Sequence, residues 1–180
     1  SCVVEKHPVS DASVETAIDA GDAGGPIDAG PSWPAARSDV VAPFGTSNTL
    51  DVATWNLHNF PAASGTAEEV ADLIASLDLD LVAVEEIADV AAFDELVGRL
   101  PNHDGVLSTS TYGDGTYQKV GFVWRSDVVD LTEVHELFGG SGYTFPRRPL
   151  QATVTVHGPG ADWDFIAIVA YSVLHLILFT

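Results

Sequence analysis

The chain has one cysteine, Cys2, no methionine, and only 7 lysines and arginines among 180 residues. Each shortage excludes something. A single cysteine makes no intramolecular disulfide and no thiolate cage for a metal. Seven cations against 26 acidic residues, a formal net charge of -19, leave no broad basic surface for gripping nucleic acid, because backbone-phosphate binding draws on clustered Lys and Arg. A small anionic substrate in a locally positive or metal-filled cleft stays open. Without an initiator methionine the sequence reads as a processed or clipped product. Charge is lacking again from Phe165 to Thr180, which carries no charged residue when His is neutral. Those sixteen residues fall short of the ~20 that span a bilayer as a helix. An uncharged, β-prone end is an aggregation hazard. It reads as a buried final strand, as a membrane-seeking tail or, the reading favoured on sequence, as a chain that stops or shifts frame inside its own domain. On that reading 171–180 is an aberrant apolar terminus.

What is present is enough for a core, since 46% of residues are hydrophobic, in a length suited to one domain plus a tail. Residues 1–38 read as that tail. The run Asp19 to Pro31 is built almost wholly from Asp, Ala, Gly and Pro. It has too little apolar surface to offset the ~1–2 kcal/mol per residue that ordering a backbone costs, so it is expected to be a flexible linker. Ser1-Cys2 ahead of it resembles the end of a bacterial lipoprotein signal. That resemblance implies an exported protein, either secreted or a cell-envelope lipoprotein touching the membrane only through a lipid on Cys2.

Strand and helix signals begin near Leu50. Leu50 to Trp55 alternates apolar and polar residues and predicts a strand ending in a loop. Thr66-Ala-Glu-Glu69 predicts a capping box opening a helix whose stripe is Val70, Leu73, Ile74 and Leu77. Leu79 to Val84 is nearly continuous apolar sequence, as in a strand buried on both faces. Asp89 is placed to cap a second helix with Phe93, Leu96, Val97 and Leu100 inward and Pro101 past its end. This alternation predicts an α/β layered domain. The text from Val106 to Val169 turns to strands separated by glycine turns, which predicts antiparallel hairpins.

Two places carry candidate chemistry. Trp55-Asn56 lies where the first strand ends, and Glu85-Glu86 closes the Leu79–Val84 strand. Polar groups past the carboxyl ends of adjacent strands point into one crevice. An amide oxygen and a carboxylate are hard ligands suited to Mg2+, Mn2+ or Ca2+. Taken singly, the first is equally a turn residue and the second a solvated strand end.

In context they say more. Thr54-Trp-Asn-Leu-His-Asn-Phe60, then Leu81-Val-Ala-Val-Glu-Glu86, then Phe145-Pro-Arg-Arg-Pro-Leu150 resembles the endonuclease/exonuclease/phosphatase superfamily. These are metal-dependent phosphodiesterases with the deoxyribonuclease I-like fold. The resemblance covers roughly residues 48–170 and implies a partial deoxyribonuclease I-like α/β sandwich. It implies that Glu86 ligates a divalent cation (Mg2+, or Mn2+ or Ca2+), that Asn56 helps position the metal or the phosphate, and that Arg147 grips phosphate oxygens. Lys119 falls in a stretch that relatives often share but reads as a solvated strand residue. Arg147 and Arg148 have the plainer reading of an exposed pair.

The departures bear on activity. The strand Asp164–Val169 runs into Ala170-Tyr171 where the family has a His-Leu-Lys-like motif, and His175-Leu176 comes late for it. The family's Asp-x-Asn and terminal Asp-His motifs are not in these 180 residues. His7, His58, His103, His135 and His157 read as surface or packing residues. The resemblance therefore implies a divalent-metal-dependent phosphodiester hydrolase acting on nucleic acid or another phosphodiester, inactive as this chain because its water-activating half is missing. It also implies one sheet with its inner face uncovered. The competing reading is a non-catalytic exported lipoprotein that binds a partner.

Overall fold

In the computed structural model, residues 2–8, 37, 39–112, 114–139, 145, 147–158, 162–171 and 177–179 are described. The first sheet has the order β1-β2-β3-β5-β4, from Cys2–Pro8 (β1), Thr49–Phe60 (β2), Leu81–Ile87 (β3), Lys119–Arg125 (β5) and His103–Leu107 (β4). The second has the order β6-β7-β8-β9, from Val129–Glu136, Leu150–Val156, Trp163–Val169 and Ile177–Phe179. Helices α1 (Thr66–Leu77) and α2 (Val90–Gly98) cover one face of the first sheet. The molecule is α/β, a partial deoxyribonuclease I-like sandwich.

Two cores hold the layers. Val70 and Ile74 of α1, with Phe93 and Leu96 of α2, pack on Ala53, Val82, Val84 and Val123 of the first sheet. The opposite face of that sheet, through Leu50, Val52, Leu81, Ala83, Val120 and Phe122, packs on Leu150, Ala152, Val154, Phe165, Ala167 and Val169 of the second. β3 serves both, so all seven of its residues are buried, as its apolar run predicts. The expectation of a single sheet with an uncovered inner face is corrected. The hairpin-rich second half makes its own sheet, and the two inner faces seal each other.

β2 and β3 are parallel, which requires a crossover; α1 supplies it. The β4–β5, β6–β7 and β7–β8 pairs are antiparallel, as the glycine turns imply. Asp89 caps α2, its Oδ1 accepting from Ala91 N at 2.8 Å and Ala92 N at 3.2 Å. The capping box at α1 is not formed. The helix is preceded by Gly65 in a left-handed conformation, and Thr66 is its first residue rather than its cap. The Thr66 hydroxyl instead accepts from Ala63 N at 3.1 Å and donates to Ala63 O at 2.8 Å.

Cys2–Pro8, which fell within the expected tail, forms an edge strand antiparallel to β2, with Cys2 opposite Trp55. The open edge of β2 offers a ladder of backbone groups that an extended segment satisfies irrespective of core-forming power. The linker run from Asp19 to Pro31, and His175-Leu176, lie outside the described residues. Within 171–180, Ile177–Phe179 pairs with Ile166–Ile168 of β8.

Candidate functional site

β2 and β3 run parallel from Val52↔Leu81 to Asn56↔Glu85, and there the register breaks before resuming at Phe60↔Ile87. β3 breaks register with β5 at the same level, between Val84 and Ile87. The expected loop after Trp55 is therefore a bulged continuation of β2. Three residues at this break, His58 (φ 50), Asn59 (φ 58) and Glu86 (φ 63), have left-handed backbones. For Glu86 that conformation costs ~1–2 kcal/mol, whereas Asn and His adopt it more readily. Period-two alternation puts Glu85 on the Leu81–Ala83 side and would put Glu86 with Val84, under the helices. The left-handed turn at Glu86 takes it out of that alternation and swings its carboxylate to Asn56.

The carboxylate is closely held. Asn56 Nδ2 donates to Glu86 Oε1 at 3.2 Å, and Asn59 N donates to Oε2 at 3.2 Å. The Tyr171 hydroxyl donates to it as well. Burial, the largest influence, pushes the Glu86 pKa up. Hydrogen bonds from Asn56, Tyr171 and Asn59 and the charge of Arg147 outweigh it, and the group sits below the usual carboxylate range. Glu86 is 8% exposed and Glu85 5%. Burial and then the neighbouring Glu86 push Glu85 the other way, to about 7, against a hydrogen bond from Thr54.

Asn56 and Glu86 are thus brought together, but with a revised role for the amide. Asn56 Oδ1 accepts from His58 N at 2.9 Å. Flipping the amide would set an NH2 against that N–H, so the oxygen stays with the backbone and the nitrogen faces Glu86. Asn56 orients the carboxylate rather than offering its own oxygen beside it.

Arg147 joins the cluster through Tyr171. Its Cζ lies 3.8 Å from the centre of the Tyr171 ring, a cation–π contact. Arg147 Nε is buried with no hydrogen-bond partner among the described residues. Tyr171 escaped the sequence reading because it stands where the family motif fails. The available signal was its place two residues past the end of a strand that pairs beside the site.

A second polar network adjoins. The Glu136 carboxylate accepts from Thr109 N at 2.6 Å, Ser110 N at 2.7 Å, the Ser110 hydroxyl, and Arg148 Nη1 at 3.4 Å. Lys119 is not a solvated strand residue. Its ammonium donates to the carbonyls of Ser108 (2.8 Å) and Ser110 (3.0 Å), and burial lowers its pKa against the pull of Glu136. Arg148 is only half-buried; its N–H donates to the Tyr117 hydroxyl at 2.9 Å. Gln118 donates to Asn59 Oδ1, tying this network to the first.

Of the other histidines, His103 is half-buried with Nδ1 2.5 Å from Pro101 O, and His157 lies between Asp130 and Asp162. His58 is at the rim, its Nδ1 3.8 Å from Glu86 Oε2. No group of three or more His, Cys, Asp or Glu converges on one point among the described residues.

A solved Bacteroides vulgatus protein of the endonuclease/exonuclease/phosphatase family superposes on 65% of this chain and 50% of its own, with a TM-score of 0.50 and 18% identity. The fold is that of the endonuclease/exonuclease/phosphatase superfamily. Also similar are a mannosyl-6-phosphatase from Bacteroides thetaiotaomicron (16% identity, 65% and 50% covered, TM-score 0.48) and D. rerio TDP2 complexed with a single-strand DNA product (14%, 65% and 44%, 0.48). The chain spans half or less of the length of these structures. No protein-family model and no curated protein matches the sequence.

Proposed function

We propose that these 180 residues carry the cation-and-phosphate half of a divalent-metal-dependent phosphodiester hydrolase, with Glu86 as metal ligand. The observation that carries the reading is the Glu86 carboxylate itself. It is ionised, held by donors from Asn56, Asn59 and Tyr171, and set at the carboxyl end of a parallel strand pair with a cation beside it. A fixed anionic oxygen of this kind suits a hard divalent cation such as Mg2+ or Mn2+. A bound divalent ion would supply charge neutralisation at a phosphate oxygen and the leaving oxygen.

The residues divide the remaining work. Asn56 and the Asn59 N–H fix the carboxylate's orientation. Arg147, with an unsatisfied buried N–H, offers a planar donor fork to phosphate oxygens. Tyr171 braces both, its hydroxyl on Glu86 and its ring under the guanidinium. The family's Asp-x-Asn and Asp-His motifs are not in these 180 residues, and with one carboxylate ligand the chain is expected to bind the ion weakly and turn over nothing.

Titration with Mg2+ and with Mn2+, alongside hydrolysis of bis(p-nitrophenyl) phosphate, tests this. The expected result is one saturable site, lost in Glu86→Gln, with hydrolysis at the buffer rate. Ion binding that persists in Glu86→Gln would sink the assignment. Turnover abolished by Glu86→Ala would keep the hydrolase and overturn the inertness of this chain.

A further inference from the structure

We infer that Phe138 is a stacking surface for a planar ring on the substrate, so that the phosphate grip of Arg147 takes a short phosphodiester bearing a nucleobase. The inference rests on the reading of Arg147 as a phosphate contact and adds the class of group esterified to that phosphate. Among the described residues the exposed large hydrophobic side chains are Val40, Val90, Tyr112 and Phe138. Both aromatic ones stand beside Arg148. The Tyr112 ring leans on Tyr117 with centroids 4.9 Å apart, and the Tyr117 hydroxyl accepts from Arg148 N at 2.9 Å. Phe138 lies two residues past Glu136, whose carboxylate accepts from Arg148 Nη1 at 3.4 Å. A Cβ on the next residue, Gly139, would be 3.8 Å from that same nitrogen.

Phe138 forms a stack with one face left open. Its ring lies on Phe145 with centroids 4.8 Å apart and 13° between the planes. Phe145 is half-buried whereas Phe138 is 55% exposed, so Phe145 covers one face and water the other. Burial does not account for a phenyl ring there, and neither does the backbone. Phe138 has φ 56, a left-handed conformation that suits glycine or asparagine and strains a bulky residue. Such strain is the kind of cost a fold retains where geometry serves a site. Phe145 precedes Arg147 by two residues, which puts the stack and the grip on one short segment. Every nucleobase has a π face to lay on an aromatic ring, and an alkyl ester has none. Charge sets the length. Arg148 is engaged by Glu136, and Arg147 is the guanidinium with an unsatisfied N–H. One guanidinium matches one phosphate, and each further phosphate meets the repulsion of a net charge of -19.

The test is binding by the whole chain, followed by NMR in Mg2+ buffer at ~10 mM ionic strength, where charges act over ~30 Å. The probes are the dinucleotide thymidylyl-thymidine, diethyl phosphate, which has no ring, and a single-stranded oligothymidylate of about 20 nucleotides. The variants are Phe138→Asn, which suits the left-handed backbone, Phe138→Trp, which keeps a ring, and Arg147→Gln. Dinucleotide affinity is expected to fall at least about fivefold in Phe138→Asn and to be held in Phe138→Trp. Diethyl phosphate affinity is expected to change by less than about twofold in both. Thymine protons are expected to move upfield on binding the parent and to stay put with Phe138→Asn. Arg147→Gln is expected to lose both small probes. Counted per phosphodiester, the oligothymidylate is expected to bind more weakly than the dinucleotide. Equal dinucleotide affinity in the parent and Phe138→Asn, with Arg147→Gln still blank, overturns the stacking surface and leaves the phosphate contact standing. Small-probe binding indifferent to Arg147→Gln overturns the contact on which the inference rests, as does a parent chain that binds no probe. Tighter oligothymidylate binding per phosphodiester overturns the restriction to short substrates. A parent that sediments as a dimer, with Phe138→Asn a monomer, gives the open face to a second copy and overturns the inference too.

Discussion

Tyr171 links the two charged members of the site, and its two halves are separable. Replacing it by Phe removes the hydroxyl from Glu86 and keeps the ring under Arg147. The Glu86 pKa is then expected to rise, because one of the donors that offset burial is gone. A carboxyl-carbon NMR titration of Glu86 reads this directly, and an unchanged midpoint would remove Tyr171 from the site. A different carboxyl, away from the site, contributes to pH-dependent stability. Asp80, 4% exposed at the far end of β3, is pushed up to about 6, first by burial and then by Asp51 and Asp78, against a hydrogen bond from Asp51 N and the charge of Arg125. A raised carboxyl favours the folded state when protonated. Its contribution is present below the unfolded value of 3.8 and is lost as pH rises through about 6. Asp80→Asn is therefore expected to raise Tm above pH 6, by about 2 °C or more, and to lose that advantage by pH 4. A Tm difference independent of pH would contradict it. Asn56 and Glu86 were legible in the sequence because their neighbours spell motifs. Tyr171 was not, since its role depends on β8 ending beside β3, a contact across 85 residues of chain.

The element-scale signals that survived are those fixed by local chemistry. Asp89 caps α2 because a short carboxylate ahead of a helix has only the first free N–H groups to accept from. Asp89→Ala is expected to cost ~1 kcal/mol in urea unfolding, and a change below a few tenths would contradict the cap. Thr66-Ala-Glu-Glu69 misled for an equally local reason. A capping box needs an extended residue at the cap, and here a left-handed Gly65 holds that position one residue early. The β4–β5 pair carries a constraint that no periodicity reveals. A Cβ at Gly121 would lie 2.3 Å from the Val106 carbonyl oxygen, so Gly121→Ala is expected to force the strands apart. Hydrogen exchange at Val106 and Leu107 is the readout, and protection equal to the parent's would show that the ladder absorbs the methyl. Strand partners, by contrast, were only half legible. Short glycine turns disclose antiparallel neighbours, but nothing local says that β5 and β6 part into different sheets.

At the scale of the molecule, the question is where so few cations go. Arg99 is spent on Glu68 and Glu95, and Arg125 on Asp78 and Asp80 at the far end of β3. Lys119, Arg147 and Arg148 gather around Tyr117, Tyr171 and Glu136. A net charge of -19 repels a phosphate at long range, and this cluster opposes that field locally. If the proposed phosphate site holds, phosphate binding is expected to strengthen with salt at first, as screening removes the general repulsion before the contact pairs. The same negative surface raises the rival explanation for any cation effect, namely diffuse association with scattered carboxylates.

An NMR titration of the 15N-labelled chain with Mg2+, following backbone amides and the Asn56 side-chain NH2, separates the two most directly. A single saturating response is expected at Asn56, His58, Asn59, Glu86 and Tyr171, absent in Glu86→Gln. Non-saturating shifts spread over acidic positions such as Asp104, Asp130 and Glu133, indifferent to Glu86, would contradict a metal site at this rim.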